Sequence, residues 1–238
     1  MLGAIVGSFL ATLVVRWPAG RGLGGRSACD GCGRTLTAIE LVPLVSAAVQ
    51  RWRCRSCGAA IDPRHGLIEA GCALIGVTAG VAVAGPEAMA GAMFGWLLLT
   101  LAALDVAVLW LPDRLTGTLA VAGLATGALG VWPPIEDRLI GGVAGFGVLW
   151  LIAAAYRRIR GRTGMGGGDP KLLGAIGLWL GWRMLPAVLL LASLIGVGLV
   201  LAARMSGRTV SRETAMPFGA LMAVAAYPAW LVMIGAVG

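Results

Sequence analysis

The sequence predicts an all-α fold: a polytopic membrane helix bundle of about eight helices with a small cytoplasmic zinc-binding loop domain. Hydrophobic residues make up 58% of the 238 residues and charged residues 13%, about half of the charge of a typical soluble domain. One long polar loop with two CxxC pairs interrupts this apolar pattern. Spanning segments must satisfy their backbone groups internally, and no period-2 alternation is visible, so we expect helices rather than a barrel.

Apolar runs define the individual helices. A bilayer is crossed by roughly 20 residues of helix, and the runs give candidate spans at 1–17, 66–84, 88–111, 115–132, 139–156, 171–182, 185–203 and 216–237. The first run lacks a basic region before it and a small-residue cleavage site after it, which favours a retained helix over a signal peptide. The predicted organisation is therefore a first membrane helix (1–17), a cytoplasmic four-cysteine loop domain (18–65) and a membrane domain of about seven helices (66–238).

The basic residues predict the orientation. The net charge is +8, but Lys and Arg collect in short loops between apolar runs, and no basic tail or aromatic-basic interleaving suggests nucleic acid. With loop 18–65 in the cytoplasm, seventeen Lys and Arg residues, including Arg208 and Arg212, fall on the cytoplasmic side. Only Arg138 and Arg183 fall outside it. The sequence therefore predicts a multi-pass membrane protein embedded in a lipid bilayer, without a nucleic-acid partner.

The first chemical constellation is a set of four cysteines in the polar loop. Cys29 and Cys32 form one CxxC pair, and Cys54 and Cys57 form the other. Each pair can direct two thiolates at one ion, so together they predict a closed, structural Zn²⁺ site. Disulfides are the rival interpretation, and a cytoplasmic location disfavours them. Cys72 lies in an apolar run and is expected to be a packing residue.

The second constellation is a pair of aspartates. Asp105 lies in an apolar run, where a carboxylate is expensive and so a functional candidate, although it could merely lie at the interface. Asp169 follows a glycine-rich segment and stands at a predicted helix start, where an ordinary cap is the alternative. Asp113 stands beside Pro112 and is expected to cap the next helix from solvent.

A meeting of Asp105 and Asp169 would form a catalytic dyad, because one of two neighbouring carboxylates retains a proton while the other activates water. An extended substrate could lie against the glycines before Asp169, because they carry no side chain. The candidate substrate-binding residues are Gly166, Gly167, Gly168 and Lys171. Two other classes stay open: a small transporter with intramembrane carboxylates, and a non-catalytic assembly protein of a secretion system.

These motifs together resemble the type IV prepilin peptidases, GxGD-class membrane aspartic proteases. The resemblance spans nearly the whole chain, although His65-Gly66 and Gln50-Arg51-Trp52 depart from the usual family pattern. The matching segments are Gly7-Ser8-Phe9-Leu10, the two cysteine pairs, Glu40-Leu41-Val42-Pro43, Glu69, Asp105, Leu111-Pro112-Asp113-Arg114-Leu115-Thr116, Gly166-Gly167-Gly168-Asp169-Pro170-Lys171 and Pro217-Phe218-Gly219.

The resemblance implies a bacterial inner-membrane enzyme that cleaves the basic leader of type IV prepilins or pseudopilins at the cytoplasmic face. By residue, Asp105 and Asp169 match the catalytic pair of that family, and the four loop cysteines match its cytoplasmic metal-type domain. Many members then methylate the new N-terminus with S-adenosylmethionine. No methyl-donor motif is visible in the sequence, so this second activity is an implication of the resemblance alone.

Overall fold

The computed structural model describes residues 1–162, 164–207 and 216–236, and this part of the chain is predominantly helical. Two isolated antiparallel bridges lie in the cysteine loop, and 3-10 turns cover Ala38–Leu41 and Trp182–Met184. The α-helices are α1 (Leu2–Arg16), α2 (Val45–Val49), α3 (Pro63–Ala82), α4 (Pro86–Val108), α5 (Asp113–Ala128), α6 (Ile135–Arg160), α7 (Gly168–Leu180), α8 (Leu185–Met205) and α9 (Phe218–Gly235).

The predicted fold class is confirmed. Each of the eight predicted spans coincides with a helix, whereas the short helix α2 inside the polar loop was not predicted. Among the described residues, five helices are long and apolar enough to cross a membrane: α3, α4, α6, α8 with its preceding 3-10 turn, and α9. The apolar helix α1 is shorter, at 15 residues. The chain is thus a multi-pass membrane protein.

Two helix ends differ from the prediction, and both differences affect an aspartate. Helix α4 ends at Val108 rather than at residue 111, because Leu109 adopts a left-handed conformation with φ 52°. Helix α7 begins at Gly168 rather than at residue 171, so Asp169 lies in its first turn. Arg208 and Arg212, which supported the predicted orientation, lie outside the described residues.

The chain folds as two compact units, Met1–Val81 and Ala82–Gly238. In the first unit, α1 packs closely against α3. A Cβ atom at Gly3 would overlap the carbonyl oxygen of Cys72, and one at Gly7 would lie 2.8 Å from the Cα atom of Glu69. Cys72 is fully buried. The expectation that it is a packing residue is therefore confirmed.

In the second unit, α7 is the most enclosed helix. It contacts α5, α6, α8 and α9, and Leu172, Leu173 and Ile176 are fully buried. Trp179 stacks on Phe94 with ring centroids 4.9 Å apart. With 13 residues, α7 is too short to cross a bilayer at full thickness by itself. Protein rather than lipid surrounds most of its length.

Glycines allow α6 and α7 to approach each other closely. A Cβ atom at Gly177 would overlap the carbonyl oxygen of Gly141, and a Cβ atom at Gly145 would lie 2.7 Å from the carbonyl oxygen of Leu173. Helices associate in membranes largely through such close packing of small residues. The α6–α7 contact therefore fixes the position of α7, which carries Asp169.

Arg138 anchors the same region. The sequence placed it in a loop on the side opposite the cytoplasm, but it lies in the first turn of α6 and is only 1% exposed. Its guanidinium donates hydrogen bonds to the hydroxyl of Thr126 and to backbone carbonyls on α5, on α7 and in the α5–α6 connection. A guanidinium offers five N–H donors, and here they connect α5, α7 and the α5–α6 connection through one buried side chain.

Candidate active site and metal site

Asp105 lies near the C-terminal end of α4 and is 5% exposed. Its Oδ2 atom accepts a hydrogen bond from the backbone N–H of Ala220 at 2.8 Å, and the N–H of Gly219 also donates to this carboxylate. Both donors belong to the first turn of α9, whose N–H groups have no partner within the helix. A carboxylate at a helix N-terminus also complements the helix dipole. The first turn of α9 therefore holds Asp105 in place.

Asp169 lies in the first turn of α7 and is 6% exposed. Its Oδ2 atom accepts a hydrogen bond from the backbone N–H of Gly166 at 3.1 Å. The cap alternative is therefore wrong, because the N-cap residue is Gly167 and Asp169 binds the loop that precedes the helix. The glycine-rich loop before α7 therefore orients the Asp169 carboxylate.

The structure brings the two carboxylates into one site. Asp105 lies within electrostatic range of Asp169, although the two are 64 positions apart in the sequence. The side chain of Leu111 lies against both helix starts: an ideal Cβ atom at Gly168 would be 2.8 Å from its Cβ, and one at Gly219 would be 2.7 Å from its Cδ1. The site therefore combines two buried acids, two helix N-termini and one apolar side chain.

The sequence prediction for the neighbouring residue Asp113 needs correction. Asp113 is the first residue of α5 rather than its cap, and the N-cap residue is Pro112. The Asp113 carboxylate instead accepts a hydrogen bond from the ammonium of Lys171 at 2.7 Å, with both side chains exposed. This pair connects the starts of α5 and α7.

The four loop cysteines form a second site, in the other unit. Their sulfurs all lie within 4.8 Å of one another, and the Sγ atoms of Cys29 and Cys57 are 3.8 Å apart. Tetrahedral coordination with Zn–S bonds of about 2.3 Å requires sulfurs about 3.8 Å apart. A disulfide requires about 2.05 Å. The arrangement therefore fits a four-coordinate ion.

The two cysteine pairs have the same local fold. In each, the carbonyl of the first cysteine accepts a hydrogen bond from the N–H of a glycine four residues later, Gly33 or Gly58, and both glycines have φ near +70°. An antiparallel bridge closes each turn, Ala28 with Thr35 and Arg53 with Ala60. Backbone N–H groups of Cys57 and Ser56 lower the pKa of Cys54 to about 6. In the same cluster, desolvation and the neighbouring sulfurs raise the pKa of Cys57 to about 11, so metal binding there would release a proton.

The two departures from the family pattern contact each other. A Cβ atom at Gly66 would overlap the ring of Trp52, which lies over the start of α3. Trp52 itself has φ 59°, a conformation that favours glycine. The Trp52 ring of the loop therefore occupies the space that a side chain at Gly66 would need. This contact joins the cysteine loop to α3.

Sequence reasoning missed the role of Gly219 and Ala220. The segment Pro217-Phe218-Gly219 was recognised only as part of a resemblance. A proline before an apolar run does signal a helix start, but nothing in the sequence says which carboxylate those free N–H groups hold. Leu111 was likewise seen only as part of the turn after Asp105.

Fold and sites together define a class: a multi-pass helical membrane protein with a buried pair of carboxylates and a separate four-cysteine unit. The Type IV leader peptidase family matches residues 92–201, and the Bacterial Peptidase A24 N-terminal domain matches residues 1–83. The chain belongs to the type IV leader peptidase family.

Several relatives carry the name prepilin leader peptidase/N-methyltransferase. The protein of Aeromonas salmonicida (strain A449) is 40% identical, with 87% of this chain and 71% of the relative covered. That of Burkholderia pseudomallei (strain K96243) is 37% identical, with 94% and 81% covered. That of Dickeya chrysanthemi is 35% identical, with 100% and 89% covered. No solved structure matches the chain significantly. These likenesses favour a peptidase over the transporter and the assembly protein.

Proposed function

We propose that this chain cleaves the leader peptide of type IV prepilins or pseudopilins, with Asp105 and Asp169 as its catalytic pair. The observation that supports the residue assignment best is the convergence of two buried carboxylates from α4 and α7. Buried acids in membrane helices are expensive and are functional candidates by default. Family membership supplies the reaction, and the geometry supports these two residues as its agents.

The chemistry follows from the proximity of the acids. Two carboxylates at short range do not readily ionise together, so the pair shares a proton. The ionised member takes a proton from water as the oxygen attacks the scissile carbonyl carbon, and the protonated member donates to the carbonyl oxygen. A proton then passes to the departing nitrogen, and the C–N bond breaks. The N–H groups of α9 and of the glycine loop keep both carboxylates oriented.

The proposed substrate-contact residues differ in how much open space surrounds them. A Cβ atom at Gly167 would meet no atom within 4 Å, so this glycine offers the open surface against which an extended chain could lie. Gly166 is occupied with Asp169, and Gly168 is confined by Leu111. The lack of space for a side chain at Gly168 thus arises from the Leu111 side chain of the enzyme itself. Lys171 stays a proposed substrate contact, with Asp113 as its partner in the free enzyme.

We place the site at the cytoplasmic face of the bacterial inner membrane, because both aspartates adjoin loops on the predicted cytoplasmic side, where seventeen of the nineteen Lys and Arg residues fall. A basic leader would then stay in the cytoplasm and the apolar segment after it in the bilayer. A cysteine introduced at Gly167 should react with an impermeant thiol reagent in inside-out vesicles. Reaction in right-side-out cells would contradict this orientation.

Two cofactors are proposed, a metal ion and a methyl donor. We propose that Cys29, Cys32, Cys54 and Cys57 hold one structural Zn²⁺, which would order the loop. We also propose that the chain methylates the new N-terminus with S-adenosylmethionine as methyl donor, since its relatives are named N-methyltransferases.

Substitution of the two aspartates tests the proposal. Asp105→Asn and Asp169→Asn should each reduce leader cleavage by about 10²–10⁴-fold, because each removes one partner of acid–base catalysis. Cleavage of a prepilin by the purified protein is the measurement. Asp113→Asn is the matched control, because that carboxylate is 73% exposed and pairs with Lys171; it should cleave within about twofold of the unmodified enzyme. Near-normal cleavage by either active-site variant would contradict the assignment.

A further inference from the structure

The first unit contains a cavity that adjoins the four-cysteine cluster, since Cys29 and Cys54 belong to its lining. It has a volume of about 160 Å³ and lies between α1, the cysteine loop and the start of α3. All of its lining residues belong to the first unit, and none of them is a proposed peptidase residue. Its charged and polar lining includes Arg16, Asp30, Glu40, Asp62, His65 and Glu69.

Most of these charges are neutralised within the protein. Glu40 accepts hydrogen bonds from Arg34 and from the backbone N–H and hydroxyl of Thr37, and these donors lower the pKa of Glu40 to about 2. Asp62 pairs with Arg64, and Asp30 pairs with Arg21. These three carboxylates therefore form ion pairs within the first unit, and little of their charge is available to a ligand.

Two opposite charges stay available. Glu69 is 7% exposed, and its Oε2 atom accepts a hydrogen bond from the N–H of Leu44 at 2.8 Å. Its Oε1 atom has no hydrogen-bond partner in the described part of the chain. The guanidinium of Arg16 likewise has no hydrogen-bond or ion-pair partner among the described residues. Each lines the cavity, and each acts electrostatically on His65, which lines it as well.

A cavity with one available anion and one available cation complements a zwitterion. Hydrogen bonds in which one group is ionised are stronger than those between neutral groups. The ammonium of an amino acid would compensate Glu69, and its carboxylate would form a charge-assisted hydrogen bond with Arg16. The chemical class of ligand that these two residues suit is therefore a free amino acid or a molecule with an amino-acid head group.

We propose that this cavity binds S-adenosylmethionine by its amino-acid head group, with the ammonium on Glu69 and the carboxylate on Arg16. The inference rests on the methyl-transfer part of the proposed function and assigns it a place in the chain. In the transfer, the lone pair of a neutral amine forms the new N–C bond. The C–S bond breaks with its electron pair left on sulfur, and the methylated nitrogen gives its proton to water. The proposed roles of Glu69 and Arg16 are in binding the donor.

Equilibrium dialysis of labelled S-adenosylmethionine against the purified, zinc-loaded, full-length chain in detergent tests the proposal. Glu69→Gln removes the charge but retains an oxygen that can accept the Leu44 N–H, so the loop should keep its fold. We expect Glu69→Gln and Arg16→Gln each to raise Kd by about tenfold or more, as the loss of a charged partner should. Glu136→Gln, an exposed carboxylate at the start of α6, is the matched control and should bind normally.

A change in the ligand separates binding from folding. Decarboxylated S-adenosylmethionine lacks the group that Arg16 would hold, so it should bind the unmodified chain about tenfold more weakly. In Arg16→Gln the two donors should bind alike. Equal binding of both donors by the unmodified chain, or normal donor binding by Glu69→Gln and Arg16→Gln, would overturn the proposal.

Measuring cleavage and donor binding on the same preparations tests this inference and the peptidase assignment separately. Glu69→Gln and Arg16→Gln should cleave prepilin within about twofold of the unmodified chain and retain their zinc. An unmodified chain that cleaves but binds no donor would overturn the cavity assignment and leave the peptidase proposal intact. Conversely, if the Asp105→Asn variant cleaves normally and still prefers S-adenosylmethionine over its decarboxylated form, the peptidase assignment is wrong and the cavity assignment stands.

Discussion

The cysteine loop and helix α7 lie at opposite extremes of packing in this molecule. Between residues 17 and 62, only Ala47 and Cys54 are buried hydrophobic side chains. In α7, ten of 13 residues are buried. A loop with so little apolar burial has no hydrophobic core to offset its conformational entropy. The difference indicates that coordination holds one region, whereas close packing holds the other.

The largest expected effect is loss of the metal from the loop. Cys54→Ser removes the most buried of the four ligands, and structural zinc sites contribute about 10–16 kcal/mol of apparent binding free energy. We expect zinc content to fall from about one per chain to near zero, and amide exchange to become fast in the loop while α7 stays protected. Metal analysis and hydrogen exchange provide the measurements. Ser56→Ala, in the same turn, should retain zinc; a Cys54→Ser loop that stays protected would contradict coordination as its support.

The second expected effect breaks the packed region. Arg138→Ala leaves several buried carbonyls without their donor, and we expect the free energy of unfolding to fall by about 3–5 kcal/mol, as when a buried charged network loses a partner. Unfolding in detergent, followed by circular dichroism, measures it. Arg183→Ala is the control: its side chain is 71% exposed, and we expect a change below about 1 kcal/mol. Equal effects of the two substitutions would show that the Arg138 hydrogen bonds do not support the bundle.

A smaller effect is expected where α6 and α7 cross. Gly177→Ala places a methyl group against the carbonyl of Gly141, and overpacking of this kind typically costs about 1–3 kcal/mol. The same unfolding measurement applies, and leader cleavage should fall with it because α7 carries Asp169. Gly147→Ala adds a methyl group to α6 where no atom lies within 4 Å, so it should be neutral. A destabilised Gly147→Ala would indicate that the helix backbone, rather than the crossing, is sensitive.

The smallest effect on stability is expected at the surface. The Lys171–Asp113 pair is exposed, with side chains 48% and 73% accessible, and exposed ion pairs contribute about 0–1 kcal/mol. Lys171→Met should therefore change the unfolding free energy by less than about 1 kcal/mol. If Lys171 contacts substrate, KM for prepilin should rise while Asp113→Asn leaves it unchanged. Equal KM values for both variants and the unmodified enzyme would remove Lys171 from the substrate contacts.

Local sequence patterns predicted those features that depend on residues close together in the sequence. The eight spans were visible because helices in a bilayer need long apolar runs. The cysteine pairs were visible because two CxxC turns can close around one ion, and Gly33 and Gly58 have the left-handed conformation that such turns need. Asp105 was distinctive because a carboxylate in an apolar run is rare. These features required no knowledge of distant residues.

Tertiary structure alone decided the contacts between distant residues. The N–H groups of α9 reach Asp105 across 115 positions, and Arg138 is buried rather than exposed. Asp113, predicted as a cap, pairs with Lys171. Glu69 and Arg16 face one cavity only because α1 and α3 pack at glycines. A sequence specifies apolar periodicity, turn chemistry and isolated charges, whereas the partner of a buried charge depends on which helices pack together.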